Sequence, residues 1–208
     1  MKRQYFLVED HALMREGVIS HLSKISDFEC AGSSADSKGF FELMGKAGSA
    51  SNIKLLITDL NISGTIDTGL SFIKECHERY PEVKILVYSM HSDVGIISAA
   101  LEAGAEGFVS KAGSPDELKT ALESLTAGKR YIEEQLAPKL FFYERTLSMF
   151  SHRENEILRL ILQGKSNTVI ADELEINKRT VENSISKIYN KTGFDTREEL
   201  VEHFKEGV

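Results

Sequence analysis

Leu55-Leu56-Ile57-Thr58-Asp59-Leu60 decides how this chain must fold. An apolar run this short, rich in branched side chains and bounded by Asn61, Ser63 and Gly64, predicts a strand buried on both faces. It stops abruptly at a carboxylate. Asp59 therefore marks the carboxyl end of a central strand, the edge at which open α/β sheets gather their reactive groups. Taken alone, such an acid reads as a cap on the next turn; the company at the other strand ends changes that reading.

Working outward, Tyr5-Phe6-Leu7-Val8 is a second buried strand and ends in Glu9-Asp10. Leu13, Val18, Leu22 and Ile25 recur at near-helical spacing and predict a first crossover helix. Residues 28–32 read as a short strand and 36–46 as a helix. A helix over 67–79 follows the central strand, with Leu70, Ile73 and Cys76 on its inner face and Pro81 beyond its end. Val83-Lys84-Ile85-Leu86-Val87-Tyr88 is a strand that stops at Ser89. After a helix over 92–103, Gly107-Phe108-Val109-Ser110 is another, and it stops at Lys111. Ser114-Pro115-Asp116-Glu117 carries the cap, first-turn proline and early acid of a helix start, and Gly128 closes that helix.

Five strands alternating with five helices over short loops specify a five-stranded, doubly wound parallel sheet of the flavodoxin-like kind. Right-handed crossovers bring Glu9, Asp10, Asp59, Ser89 and Lys111 to one edge. Three carboxylates in one crevice repel each other unless a cation lies between them. A hard divalent ion with oxygen ligands resolves this, and Mg²⁺ suits a site that keeps open positions for water and phosphate oxygens.

These residues resemble the receiver domain of bacterial two-component response regulators: the Glu9-Asp10 acids, Asp59 after an apolar strand, Ser89 after Ile85-Leu86-Val87-Tyr88, and Lys111 closing Gly107-Phe108-Val109-Ser110-Lys111. The resemblance implies that Asp59 is a phosphoacceptor, attacking the phosphohistidine of a sensor histidine kinase or a small phosphodonor. Glu9, Asp10, Asp59 and the Asn61 backbone carbonyl would hold Mg²⁺. Ser89 would hydrogen-bond the phosphoryl group and Lys111 would pair with it. Phe108 occupies the switch-aromatic position, where it can pack in or out but carries no hydroxyl. The family's Met-Pro-Gly-type loop is replaced here by Ile62-Ser63-Gly64-Thr65. Charge-assisted bonds of roughly 1.5–3 kcal/mol each from Ser89 and Lys111 would supply about 3–6 kcal/mol, against the ~5.5 kcal/mol that a full switch requires.

Residues 129–147 change register and read as a partly helical linker with Leu136, Leu140 and Phe141; residues 1–128 precede it as one domain. From 148 to 208 the strands vanish. Ser151-His152-Arg153-Glu154 is a capping box that launches Ile157, Leu160 and Ile161, and Gly164 ends that helix. A short helix over 166–174 follows. Asn177 starts a third helix with Val181, Ile185 and Ile188 inward, and Asp195 with Glu198 caps a fourth. Four short helices with a tight turn between the second and third form a small all-α, four-helix helix-turn-helix domain.

At 100° per residue, the outer face of the third helix presents Arg179, Asn183, Ser186 and Asn190, with Lys187 at its flank. Between Asn177 and Lys191, the cations Lys178, Arg179, Lys187 and Lys191 face the single acid Glu182, a local charge of +3 in a chain of net charge -7. Arg suits guanine, Asn suits adenine, and Lys187 and Lys191 suit phosphates. The stretch from Ser151 to Phe194, with the following Thr196-Arg197-Glu198-Glu199-Leu200-Val201, closely resembles the LuxR-type helix-turn-helix of the NarL/FixJ regulators. That resemblance adds Thr180 to the contacts with double-stranded DNA and implies a homodimer packed through Leu200, Val201 and Phe204. Ser184 stands where the family commonly has His, and Glu182 is the acidic variant of its position.

Composition sets the frame for both readings. At 208 residues, 41% apolar and 27% charged, the chain is globular and long enough for two domains. Its net charge excludes coating nucleic acid by bulk charge, so contact with DNA must come from a local patch. Cys30 and Cys76 have no metal-ligand spacing and read as reduced, buried thiols of a cytoplasmic protein. No apolar run approaches the ~18 residues of a membrane span, and Met1-Lys2-Arg3 leads into a strand rather than a signal-peptide core. The six histidines show no convergent ligand spacing.

The leading expectation is a DNA-binding regulator, not an enzyme, that dimerises on Mg²⁺-dependent phosphorylation of Asp59. A constitutive DNA-binding regulator whose receiver is an interaction module is the alternative, suggested by the altered loop after Asn61. A phosphatase with an aspartyl nucleophile is disfavoured because Leu60 and Asn61 stand where a proton-donating second acid would be needed.

Overall fold

The structure, a computed structural model, describes residues 3–46 and 53–206. Met1 and Lys2, which the sequence sets ahead of the first strand, lie outside the described residues. The chain divides into two compact units, Met1–Ser92 with Ile96–Glu134, and Asp93–Gly95 with Gln135–Val208.

The first unit alternates strands and helices in the expected order: β1 (Arg3–Val8), α1 (Ala12–Ile25), β2 (Phe28–Ser34), α2 (Ser37–Met44), β3 (Ile53–Thr58), α3 (Ile66–Arg79), β4 (Lys84–Ser89), α4 (Val94–Glu102, from Ile96 on in this unit), β5 (Gly107–Ser110), α5 (Glu117–Thr126) and β6 (Tyr131–Ile132). All pairings are parallel, in the order β2-β1-β3-β4-β5-β6. The sheet thus has six strands, not five. The extra strand comes from residues read as linker: Tyr131 and Ile132 pair with Gly107 and Phe108, a ladder too short to show any periodicity in sequence.

The β3 strand runs between β1 and β4, with Leu55, Leu56 and Ile57 fully buried, because both of its faces are covered. The strand order reverses direction beside it, and that reversal opens the crevice at the carboxyl ends of β1 and β3. One face of the sheet packs Tyr5, Leu7, Leu55, Ile57 and Leu86 with Val18, Leu22, Leu118 and Leu122 of the helices. On the other, Phe40 meets Phe6 and Phe72 edge to face. The inner face of α3 is Gly69, Phe72, Ile73 and Cys76; Leu70 is only half-buried. A Cβ on Gly69 would come 2.1 Å from the Leu60 carbonyl oxygen, so only glycine lets α3 lie against the strand end. Leu13, expected on the inner stripe of α1, is 87% exposed. Cys76 is buried as expected, and burial pushes its thiol up to about 12. Cys30 is only partly buried.

The second unit is helical: α6 (Ala137–Leu147), α7 (His152–Leu162), α8 (Asn167–Glu173), α9 (Lys178–Thr192) and α10 (Arg197–Glu206). Tyr143 and Leu147 of α6, in the segment read as linker, are buried with the apolar faces of α7, α9 and α10. The Ser151–Glu154 capping box forms reciprocally, with Glu154 N donating to Ser151 Oγ and Ser151 N to Glu154 Oε2. Gly164 and Gly193 end their helices at a φ of 79°. The cap of α10 lies one residue later than expected: Thr196 and Glu199, not Asp195 and Glu198, exchange the capping bonds. Glu199 also accepts from Asp195 N.

Candidate functional site

Every group at the first unit's crevice is placed by the end of a strand. Asp59 follows β3 directly, and its amide donates to the Val8 carbonyl at 3.0 Å, which seats it beside Glu9. Lys111 leaves the end of β5 with its amide on the Ser89 carbonyl. Its ammonium donates to Glu9 Oε2 at 2.5 Å and to Asp59 Oδ2 at 2.7 Å. All three side chains are almost wholly buried.

The carboxylate of Asp59 is further fixed by the Leu60 amide, which donates to Oδ1 at 2.6 Å. Burial pushes its carboxyl up, but the Lys111 ammonium, the Ser89 hydroxyl and the Asn61 backbone amide together hold it below the ordinary range. Asp59 is therefore ionised at neutral pH. Burial lowers the Lys111 ammonium, and its bonds to Asp59 and Glu9 more than reverse this, so it stays charged.

The structure brings Glu9, Asp59 and Lys111 into direct contact, with Asn61 lining the same cleft, the Ser89 hydroxyl bonded to Asp59, and Asp10 beside Glu9 and His11. Phe108 is fully buried on β5. His11, next to the acidic pair in sequence but read as a surface or packed histidine rather than a ligand, has its Nδ1 2.7 Å from Asp10 Oδ1 and 3.4 Å from Glu9 Oε1. Arg15, another residue the sequence did not single out, donates to the Glu9 carbonyl at 2.6 Å. Exposed Leu13 and Met90 lie at the same cleft.

A divalent cation fits this donor set. Glu9, Asp10 and His11 each bring a ligand atom within 4.8 Å of the others, and Glu9 shares the Lys111 ammonium with Asp59. Asp10 Oδ1 is buried with His11 Nδ1, 2.7 Å away, as its polar neighbour, so a cation here would take the place of that contact or share it. All these donors are oxygens except His11, as Mg²⁺ prefers.

On the second unit, α9 buries Val181, Ile185 and Ile188, and with them Ser184. Lys178, Arg179, Asn183, Ser186, Lys187 and Asn190 are exposed together on its outer side. Two of the expected DNA contacts are engaged elsewhere. Thr180 gives both its amide and its hydroxyl to Asn177 Oδ1 at the helix cap. Lys191 donates to Glu154 Oε2 at 2.7 Å and to the Met149 carbonyl at 3.1 Å. Glu182 lies on the exposed face, 4.0 Å from Lys178. The dimer surface expected on α10 needs correction: Leu200 and Phe204 are buried, Phe204 edge to face with Tyr143, because their spacing turns them inward. Val201 alone of the three is partly accessible.

Comparison with known proteins agrees with both halves of this description. Residues 5–123 match the response regulator receiver domain, and residues 148–204 match the bacterial regulatory proteins of the luxR family. The transcriptional regulatory protein DegU of Brevibacillus brevis is 30% identical across 99% of this chain and 94% of its own. The nitrate/nitrite response regulator protein NarL of Escherichia coli K12 is 29% identical across 93% and 90%. Among solved structures, RcsB of Salmonella enterica serovar Typhimurium, bound to a promoter in the presence of phosphomimetic BeF3-, superposes with a TM-score of 0.69 at 26% identity. All of both chains is covered.

Proposed function

The chain belongs to the response regulators that join a receiver domain to a LuxR-type helix-turn-helix, and from that premise we propose that phosphorylation of Asp59 controls its binding to double-stranded DNA. The observation that carries this reading is the buried Lys111 ammonium held between Glu9 and Asp59 at the point where the strand order reverses.

The chemistry follows from that geometry. Ionised Asp59 is the nucleophile: one carboxylate oxygen forms a bond to phosphorus as the bond from phosphorus to the donor breaks. The electron pair leaves with the donor, a phosphohistidine imidazole of a sensor kinase or the leaving group of a small phosphodonor. Lys111 and the Ser89 hydroxyl are placed to bond the phosphoryl oxygens. Mg²⁺ held by Glu9, Asp10, Asp59 and the Asn61 carbonyl would offset the charge on the transferred group. Leu60 and Asn61 supply no acid to assist hydrolysis, which suits a stored phosphoryl group rather than turnover.

The exposed row Lys178, Arg179, Asn183, Ser186, Lys187 and Asn190 would enter the major groove, with the lysines on phosphates. A homodimer would present two such helices to adjacent half-sites, with Val201 at its edge. No helix among the described residues is long and apolar enough to cross a membrane; a chain that acts on DNA in this way would work in the cytoplasm.

Intact mass after incubation with a small phosphodonor tests the reading. One phosphate per chain is expected, dependent on Mg²⁺ and absent in Asp59→Asn. Failure of the folded, Mg²⁺-supplied wild type to take up phosphate would overturn it.

A further inference from the structure

Glu133 lies past the two-residue strand β6, in a segment with no sequence signal of function, yet its carboxylate is buried, with 4% of the residue exposed. Its backbone continues the ladder: Tyr131 N donates to the Glu106 carbonyl and Glu133 N to the Phe108 carbonyl. The next free group on that edge of β5 is the Ser110 amide. Instead of a further strand carbonyl, Glu133 Oε2 accepts from it at 2.7 Å. The loop beyond Ser110 closes over the same carboxylate, since a Cβ on Gly113 would come 2.5 Å from Glu133 Oε1. Within that loop Gly113 N bonds the Ser110 carbonyl and Ala112 N bonds Ser110 Oγ. Lys111 lies between these anchors, its own amide held from the opposite side by Ser89.

We propose that Glu133 is a positioning residue for Lys111: its buried carboxylate completes the truncated edge of β5 and fixes the backbone from which the site's ammonium reaches Glu9 and Asp59. The inference rests on the phosphoacceptor reading of Asp59 for its functional consequence, though not for the clamp itself. A carboxylate does here what a longer strand would do by main chain alone. Gln offers an oxygen to the same amide and Ala offers nothing, so acceptor and bulk structure can be separated.

The test uses the full chain and three variants, Glu133→Ala, Glu133→Gln and Gly113→Ala, with hydrogen exchange of the Ser110 amide read by NMR in the free protein. Exchange should accelerate in Glu133→Ala and be restored in Glu133→Gln. Phosphate uptake from a small phosphodonor should fall about 10- to 100-fold in Glu133→Ala, the scale of a displaced reacting group, with rescue by Gln and no change in Mg²⁺ affinity by titration. Gly113→Ala, which leaves the carboxylate intact but displaces it, should slow uptake in the same way and covers the case in which Glu133→Ala does not fold. Unchanged Ser110 exchange, wild-type uptake in Glu133→Ala, no rescue by Gln, or a parallel loss of Mg²⁺ affinity would each overturn the proposal. Failure of the wild type itself to accept phosphate would overturn the phosphoacceptor reading instead, and Ser110 exchange would still decide whether the clamp exists.

Discussion

Lys111 is the residue on which the site's charge balance turns, since it serves two buried carboxylates at once. Removing one member of a buried charged pair leaves the other uncompensated, at a cost of about 3–5 kcal/mol. Lys111→Met should therefore destabilise the first unit in denaturant melts and raise the Asp59 carboxyl toward or above its ordinary range, observable by carbon-detected NMR titration. The same logic sets the pH dependence. The Asp59 carboxyl is lowered on folding, so it contributes stability above its unfolded value, and that stability is lost as pH falls through the folded one. Acid titration of Asp59→Asn should lack this component. Glu9, Asp59 and Lys111 were legible in the sequence only as a set, because each ends an apolar strand of one parallel sheet; any one of them alone reads as a cap on the next turn. Glu133 was not, because it follows a strand of only two residues, and His11, plainly next to the acids in sequence, carried no ligand spacing that would have singled it out.

At the scale of elements, the second unit adds helix caps to the stability its core provides. Glu154 serves its own helix cap and also Lys191 of α9, and the Lys191 ammonium with the Ser151 amide holds its carboxyl down to about 2. Glu154→Gln should keep the capping bond, because Gln also accepts from the Ser151 amide, and lower stability by about 0.2–1 kcal/mol through loss of the Lys191 ion pair. In the wild type this contribution is present above the ordinary carboxylate range and disappears as pH falls toward 2, measurable as a pH-dependent difference in melting temperature between the two proteins. Glu175, in the turn between α8 and α9, is the one non-glycine with positive φ among the described residues, at 52°. Glu175→Gly should stabilise the unit by up to about 1 kcal/mol in chemical denaturation, as left-handed strain is relieved and partly offset by chain entropy. The helices and most caps could be read from spacing and cap residues. The inward turn of Leu200 and Phe204 could not, because an apolar stripe looks the same whether it faces a partner or its own core.

Over the whole molecule, the question is whether one phosphoryl group carries enough free energy to switch it. The sequence suggests two new charge-assisted bonds worth about 3–6 kcal/mol. The structure lowers that figure, because Lys111 already bonds Glu9 and Asp59 before any phosphoryl group arrives. On the proposed phosphorylation, its bond to a phosphoryl oxygen would be an exchange of partners, and Ser89 would supply most of the net gain. About 5.5 kcal/mol is needed to carry a two-state equilibrium from mostly off to mostly on, so phosphorylation alone should leave a mixed population. In the proposed switch, mass action in a dimer and the contacts of two helices with DNA would provide the rest. Phosphorylated protein in sizing experiments should therefore shift from monomer to dimer with rising concentration, and DNA carrying two half-sites should complete the shift at concentrations where free protein is still mixed. The positive face of α9 on a chain of net charge -7 also makes that DNA step steeply salt-dependent. Lys187→Ala should reduce the slope of log affinity against log salt by about one unit if it meets a phosphate. A phosphorylated chain that is wholly dimeric at the lowest measurable concentration without DNA would show that the phosphoryl site supplies the full switching energy by itself, and would require contacts beyond the exchange at Lys111.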